Sequence, residues 1–200
     1  SSSFSDLAIN GAITLAGNIT VTNVLTIMPM GIFSAATYTI TLSGTDTTFV
    51  HAGATFNNQS GTISYTGATA NIASTTYSNL TVGIGTYTML AATTVTGTLS
   101  NAGTFGGAFT LTLSGIGTPV TGAGSFNNGS TVSYTGTTAN IASTTYNNIT
   151  LGTGTYTLLA NTNISNTLTL TAGSTLNASS YTITLSNNGA PFQNLGGIFN

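Results

Sequence analysis

Few side chains in this 200-residue chain can do acid–base or metal chemistry. Asp6 and Asp46 are its only charged side chains, and His51 is its single histidine. A glycosidase-type acid–base pair needs two carboxylates with shifted pKa values facing one bond. Internal copies of the sequence argue against that role. The place of Asp6 is held later by Asn79 and Asn148, and the Asp46 turn returns as Ser114-Gly115-Ile116-Gly117 and Ser186-Asn187-Asn188-Gly189. Both aspartates read as turn residues. His51 is matched by Thr121 and Asn194, and without cysteine, glutamate or a second imidazole it cannot complete a metal site. No Gly-x-Ser-x-Gly elbow surrounds any serine. The expectation is a chain that is not an enzyme and holds no cofactor or metal.

The one array with binding potential is made of hydroxyls. Thr86 and Thr88, Thr110 and Thr112, Thr155 and Thr157, and Thr182 and Thr184 each flank one apolar residue. Aligned on a single face of a rod, they would form a regular lattice of hydroxyls and methyls that suits ice or glycans. The plainer reading is that threonine is the outward residue strands favour, and Ser64 and Ser133 interrupt the pattern. Sequons at Asn18, Asn58, Asn79, Asn128, Asn148, Asn163 and Asn177 are no more numerous than a chain so rich in Asn, Ser and Thr produces by chance.

These threonines belong to the pattern that organises the chain. Tyr38-Thr39-Ile40-Thr41-Leu42 returns at Thr62-Ile63-Ser64-Tyr65, Thr86-Tyr87-Thr88-Met89 and Thr110-Leu111-Thr112-Leu113. It returns again at Thr131-Val132-Ser133-Tyr134, Thr155-Tyr156-Thr157-Leu158 and Thr182-Ile183-Thr184-Leu185, with a weaker copy at Ala12-Ile13-Thr14-Leu15. Strict alternation marks strands with one buried face, and a spacing of about 24 residues marks a solenoid. Two further apolar positions follow each copy, as at Phe49 and Phe56, with Gly, Asn and Ser between them as turns require. The sequence therefore predicts an all-β fold: a parallel β-helix of about eight three-sided coils, right-handed by the chirality of parallel crossovers. Ile40, Ile63, Tyr87, Leu111, Val132 and Tyr156 should fill its interior. Asn57 and Asn127, like Asn71 and Asn140, are expected at turns, where stacked amides can satisfy backbone groups.

A coarser repeat contains the fine one. Phe56 through Thr88 returns as Phe126 through Thr157, an offset of about 70 residues that reads as three coils. Residues 1–200 are thus expected to form one solenoid segment. Tandem sandwich domains are the rival, but such a unit is short for a sandwich and the finer period has no role there. Disorder conflicts with a 40 % apolar content placed at strand period. The most apolar stretch, Val24 to Ala36, is broken by Thr26, Pro29 and Gly31 and is too short to span a bilayer. With no Lys or Arg, the chain has no electrostatic footprint for nucleic acid or anionic lipid.

The Phe-Asn-Asn…Ser-Tyr-Thr-Gly and Thr-Tyr-Asn-Asn-Ile-Thr…Gly-Thr-Tyr-Thr-Leu-Leu stretches of 126–159, their copies at 56–90, and Leu168-Thr169-Leu170-Thr171-Ala172-Gly173 carry a resemblance. The chain resembles the repeat regions of very large secreted β-helical surface proteins of microbes, of the adhesin and autotransporter-passenger kind. That resemblance implies an extracellular or cell-surface stalk, fibre or adhesive surface and no catalytic residues. The formal charge of only −2 leaves little repulsion between copies. The expected partner is therefore the chain itself, stacked end to end, or the remainder of a longer array.

Overall fold

The computed structural model describes all residues from Ser1 to Asn200. It contains 29 short strands and no helix, and every ladder between them is parallel. The alternation read from the sequence sets the facing of each strand. In Thr39–Leu42, Thr62–Tyr65, Thr110–Leu113 and Thr131–Tyr134, the first and third residues are half-buried and the second and fourth buried. The fold is a parallel β-solenoid.

Three faces run along it. The first stacks Ser2–Phe4, Ile19–Val21, Thr39–Leu42, Thr62–Tyr65, Asn79–Val82, Leu99–Asn101 and Val120–Thr121. A parallel bridge from Gly117 to Ala139 carries it into Thr138–Ile141, Gly154–Leu158, Ser174–Asn177 and Ile198–Phe199. The second stacks Leu7–Ile9, Leu25–Ile27 and Phe49–Val50, then crosses by the Asp46–Ala70 bridge into Thr69–Ile72, Thr86–Met89, Thr104–Gly106 and Ser125–Phe126. It continues where the Thr144 hydroxyl donates to the Gly124 carbonyl and Phe126 stacks on Tyr146. The third holds Ala12–Thr14, Ile32–Ser34 and Thr55–Asn57, and after a gap Thr76–Tyr77, Thr93–Val95, Thr110–Leu113 and Thr131–Tyr134. Thr145–Leu151 and Thr162–Leu170 bend round a corner. Their first residues serve the second face and their last residues the third.

Ten turns separate Ser2 from Ile198 on the first face, which makes a rod about 48 Å long at the usual strand spacing. This corrects the expectation of eight coils. Turn length varies from 17 residues at Ser2↔Ile19 to 24 at Leu25↔Phe49, and it averages about 20, less than the motif spacing. The motif therefore precesses around the rod. Thr39–Leu42, Thr62–Tyr65 and the 155–158 copy lie on the first face, Thr86–Met89 and the 182–185 copy on the second, and the other three copies on the third. The 70-residue repeat is corrected likewise. Tyr65 sits on the first face and Tyr134 on the third, so the offset spans three turns and two further faces rather than three coils.

The interior is one continuous cluster of 41 buried side chains. Ile19, Ile40, Ile63, Leu80 and Leu99 form one of its columns, each in register with the next. Burying each is worth about 1.5–3 kcal/mol. All three prolines lie outside strands, as a ladder without a spare donor demands. Asn71 and Asn140, expected in turns, stand instead in the strands Thr69–Ile72 and Thr138–Ile141, where their amides donate to Thr47 and Thr118 hydroxyls. The stacked amides are elsewhere, in the axial chain Asn187 to Asn166 to Asn148 with both bonds at 2.7 Å.

Candidate ligand-binding faces

The outward hydroxyls of the first face form an unbroken ladder. Ser3 is in register with Thr20, then Thr41, Ser64, Thr81, Ser100 and Thr121. A second column runs beside it through Thr39, Thr62 and Asn79. Residues two apart on a strand stand about 6.7 Å apart and rungs about 4.8 Å, so the two columns make a flat rectangular grid. The third face carries a similar grid. Thr76, Thr94, Thr112, Ser133, Thr150 and Thr169 are in register, with Thr110, Thr131, Asn148 and Thr167 alongside. A different set of hydroxyls holds the corners. Thr66, Thr96, Thr135 and Thr171 follow their strands and donate to carbonyls one turn earlier.

The eight threonines expected on one lattice are therefore divided. Thr110 and Thr112 lie in the third-face grid. Thr86 and Thr88 stand on the second face beside Thr69, Thr104 and Asn71. Thr155 and Thr157 are on the first face near its far end, in register with Thr138 and Asn140. Thr184 is on the second face beside Asn163, and Thr182 lies just before its strand. The grids that do form draw on Thr20, Thr81 and Thr150, which lie outside every copy of the motif. Turn-by-turn register, rather than motif identity, is what aligns them.

Asp6 is an exposed corner residue. Its carboxylate accepts from the Asn23 amide at 2.7 Å and the Val24 N–H at 3.3 Å. Asp46 is exposed in a turn with φ +59°. His51 is half-buried, its ring packed 5.1 Å from Phe49. The three do not converge.

Two buried tyrosine pairs went unread in the sequence. The Ala73 N–H donates to Tyr65 Oη, the two hydroxyls of Tyr65 and Tyr77 lie 3.1 Å apart, and Tyr77 Oη–H donates to the Ala73 carbonyl at 2.8 Å. Tyr134, Tyr146 and Ala142 repeat the arrangement two faces further round. Both phenol pairs are fully buried. Desolvation pushes Tyr65 up to about 12 and raises its three counterparts as well. The repeated 12-residue spacing between tyrosines in both copies was the signal that could have revealed them.

Apolar hollows lie at the first and last turns. Phe4, Leu7, Ile9, Ile13, Leu15 and Phe33 line an apolar hollow of about 430 Å³ at the first turn. Leu168, Ile183, Leu185, Phe192 and Phe199 line one of about 240 Å³ at the last.

Fold and faces together define a threonine-rich parallel β-solenoid of repeat construction. No protein-family model, curated protein or solved structure matches the chain.

Proposed function

We propose that the chain is an extracellular structural and adhesive rod that forms or extends a fibre, stalk or surface layer. The observation that supports this reading is the pair of uncharged hydroxyl grids above a single continuous core. A stiff, evenly bonded column with the same surface chemistry along its length is suited to spacing and contact. No residue is assigned a catalytic step, and no cofactor enters the reading. The partner is a further set of turns stacked on the axis. Negative-stain electron microscopy and surface labelling of the native material test it. Narrow rods or fibres outside the cell are the expected result; discrete intracellular particles would overturn it.

A second reading is favoured by the grid geometry itself. Paired hydroxyl columns at strand spacing can order water or a neutral glycan surface, and the first-face ladder offers seven consecutive rungs. An ice-recrystallisation assay separates the two. Inhibition that vanishes in a Thr41→Lys, Thr81→Lys double variant would replace the structural reading with this one.

A further inference from the structure

The third face is interrupted once. Thr55–Asn57 ends one sheet and Thr76–Tyr77 begins the next, with no ladder between them. A groove of about 390 Å³ opens at this gap, lined by Phe56, Asn57, Asn58, Gln59, Thr76 and Ser78 among others. One wall is a fastened turn: Asn57 Oδ1 accepts from the Gln59 N–H, the Asn58 carbonyl accepts from the Gly61 N–H at 2.7 Å, and the Asn79 amide donates to the Ser60 carbonyl. The opposite wall presents the hydroxyls of Thr76 and Ser78. Phe56 is half-buried and braced edge-on by Phe49 at 5.1 Å.

Asn58 sets this groove apart from ordinary surface. Only 5 % of it is exposed, yet neither its amide nitrogen nor its amide oxygen has a hydrogen-bond partner in the chain. A buried amide left unpaired costs about 1–3 kcal/mol, so such groups normally have a partner. The second copy of the same motif shows that the sequence alone does not make the groove. There Phe126 is fully buried and stacked on Tyr146 at 5.2 Å across a similar break between sheets, and the turn that follows it is one residue shorter than the turn after Phe56. No groove opens at Asn127 and Asn128.

We propose that this groove binds a neutral saccharide. Primary amides offer the paired donor and acceptor that vicinal hydroxyls match, hydroxyls complete the ring of polar contacts, and Phe56 supplies the apolar contact that a pyranose C–H face needs. The lining carries no charge, so an anionic sugar would find nothing to pair its carboxylate. The site lies away from both ends of the rod and shares only Thr76 and Asn79 with the hydroxyl grids.

The test is a titration of the isotope-labelled 200-residue chain with cellotriose, maltotriose, mannotriose and chitotriose, with trigalacturonate as the anionic control, followed by NMR. At least one neutral trisaccharide should shift the side-chain amide signals of Asn57, Asn58 and Gln59, while trigalacturonate leaves them in place. Asn58→Ala should weaken that binding about tenfold, the loss expected for a hydrogen-bonding group, and Asn128→Ala should not change it. Should Asn58→Ala disturb the turn, the surface variant Ser78→Ala provides the same comparison with the fold intact. The proposal is overturned if none of the neutral probes shifts these signals, if the anionic probe binds equally, or if binding survives both Asn58→Ala and Ser78→Ala.

Discussion

At the scale of single residues, the buried tyrosines decide how the molecule responds to pH. Burial is the leading cause that raises Tyr65, Tyr77, Tyr134 and Tyr146; for Tyr77 and Tyr146 the partner's charge adds to it. An unfolded phenol ionises near 10.0, while Tyr65 in the fold holds its proton to about 12. Above pH 10 the unfolded chain therefore sheds protons first. The tyrosine contribution to stability is complete below pH 10 and falls as pH rises toward 12 and beyond, by about 1.4 kcal/mol per pH unit for each phenol in its window. Alkaline unfolding should be steep, and in a Tyr38→Phe, Tyr181→Phe variant, which keeps only the buried phenols, tyrosinate absorbance should appear with it rather than before it. Absorbance in that variant that titrates near pH 10 while circular dichroism still shows intact strands would contradict the buried pairs. Replacing one member alone, Tyr77→Phe, leaves the Tyr65 hydroxyl and the Ala73 carbonyl without their partner and should cost about 1–3 kcal/mol at neutral pH. Chemical denaturation measures that loss directly. Aromatic residues at strand period announce burial in the sequence, but a hydroxyl pair joins different strands, and its partner depends on how many residues each corner consumes.

At the scale of strands and corners, the facing was fully legible and the turn count was not. Period-2 alternation places Leu111 inward and Thr112 outward, and the fold agrees: Leu111 is buried, and Thr112 lies in the third-face grid. Leu111→Asp buries an unpaired carboxylate and should destabilise by about 4 kcal/mol or more, whereas Thr112→Asp should stay within about 1 kcal/mol. Equal losses in thermal melts would reject this facing. Corners obey another constraint. A Cβ added at Gly67 would be driven into the Gly44 carbonyl one turn earlier, and Gly136 meets Gly115 in the same way. At Gly17 there is open space. Gly67→Ala should therefore cost about 1–3 kcal/mol, while Gly17→Ala should be close to neutral; a tolerated alanine at Gly67 would mean that the corners stack more loosely. Glycine at corners is visible in the sequence, but the corner lengths are not. Because they vary, a 24-residue motif spacing coexists with a turn nearer 20, and a lattice expected on one face is spread over three. The gap beside Phe56 escaped notice for the same reason.

At the scale of the whole rod, the surfaces left over are the two ends. Ser2–Phe4, Leu7–Ile9 and Ala12–Thr14 are the outermost strands of their faces at one end; Ile183–Leu185, Phe192–Asn194 and Ile198–Phe199 are outermost at the other. Each end thus presents three unpaired strand edges around an apolar floor. Ile13, Phe4, Phe192 and Phe199 are between 36 and 50 % exposed there. An unpaired parallel edge is a template for another strand, and the apolar floor adds about 25 cal/mol for each Å² it buries. Like charge does not oppose the approach, since the chain carries a formal −2. The two ends are complementary in form, because both offer three strands running the same way around a hydrophobic interior, as any two successive turns within the rod do. Further turns, whether of the same chain or of a second copy of these 200 residues, can therefore continue all three faces across the junction, an interaction that is head-to-tail and does not close on itself. The 200-residue chain should associate as its concentration rises, giving a series of rod lengths in sedimentation velocity rather than a single dimer. Ile13→Asp and Phe199→Asp together place a carboxylate on each floor and should return it to monomer without lowering its circular dichroism signal. Salt should have little influence on the association, since burial and backbone pairing drive it. A chain that stays monomeric at high concentration, with the backbone amides of both end turns protected from hydrogen exchange, would show that the ends are closed by other means and would remove the basis for axial assembly.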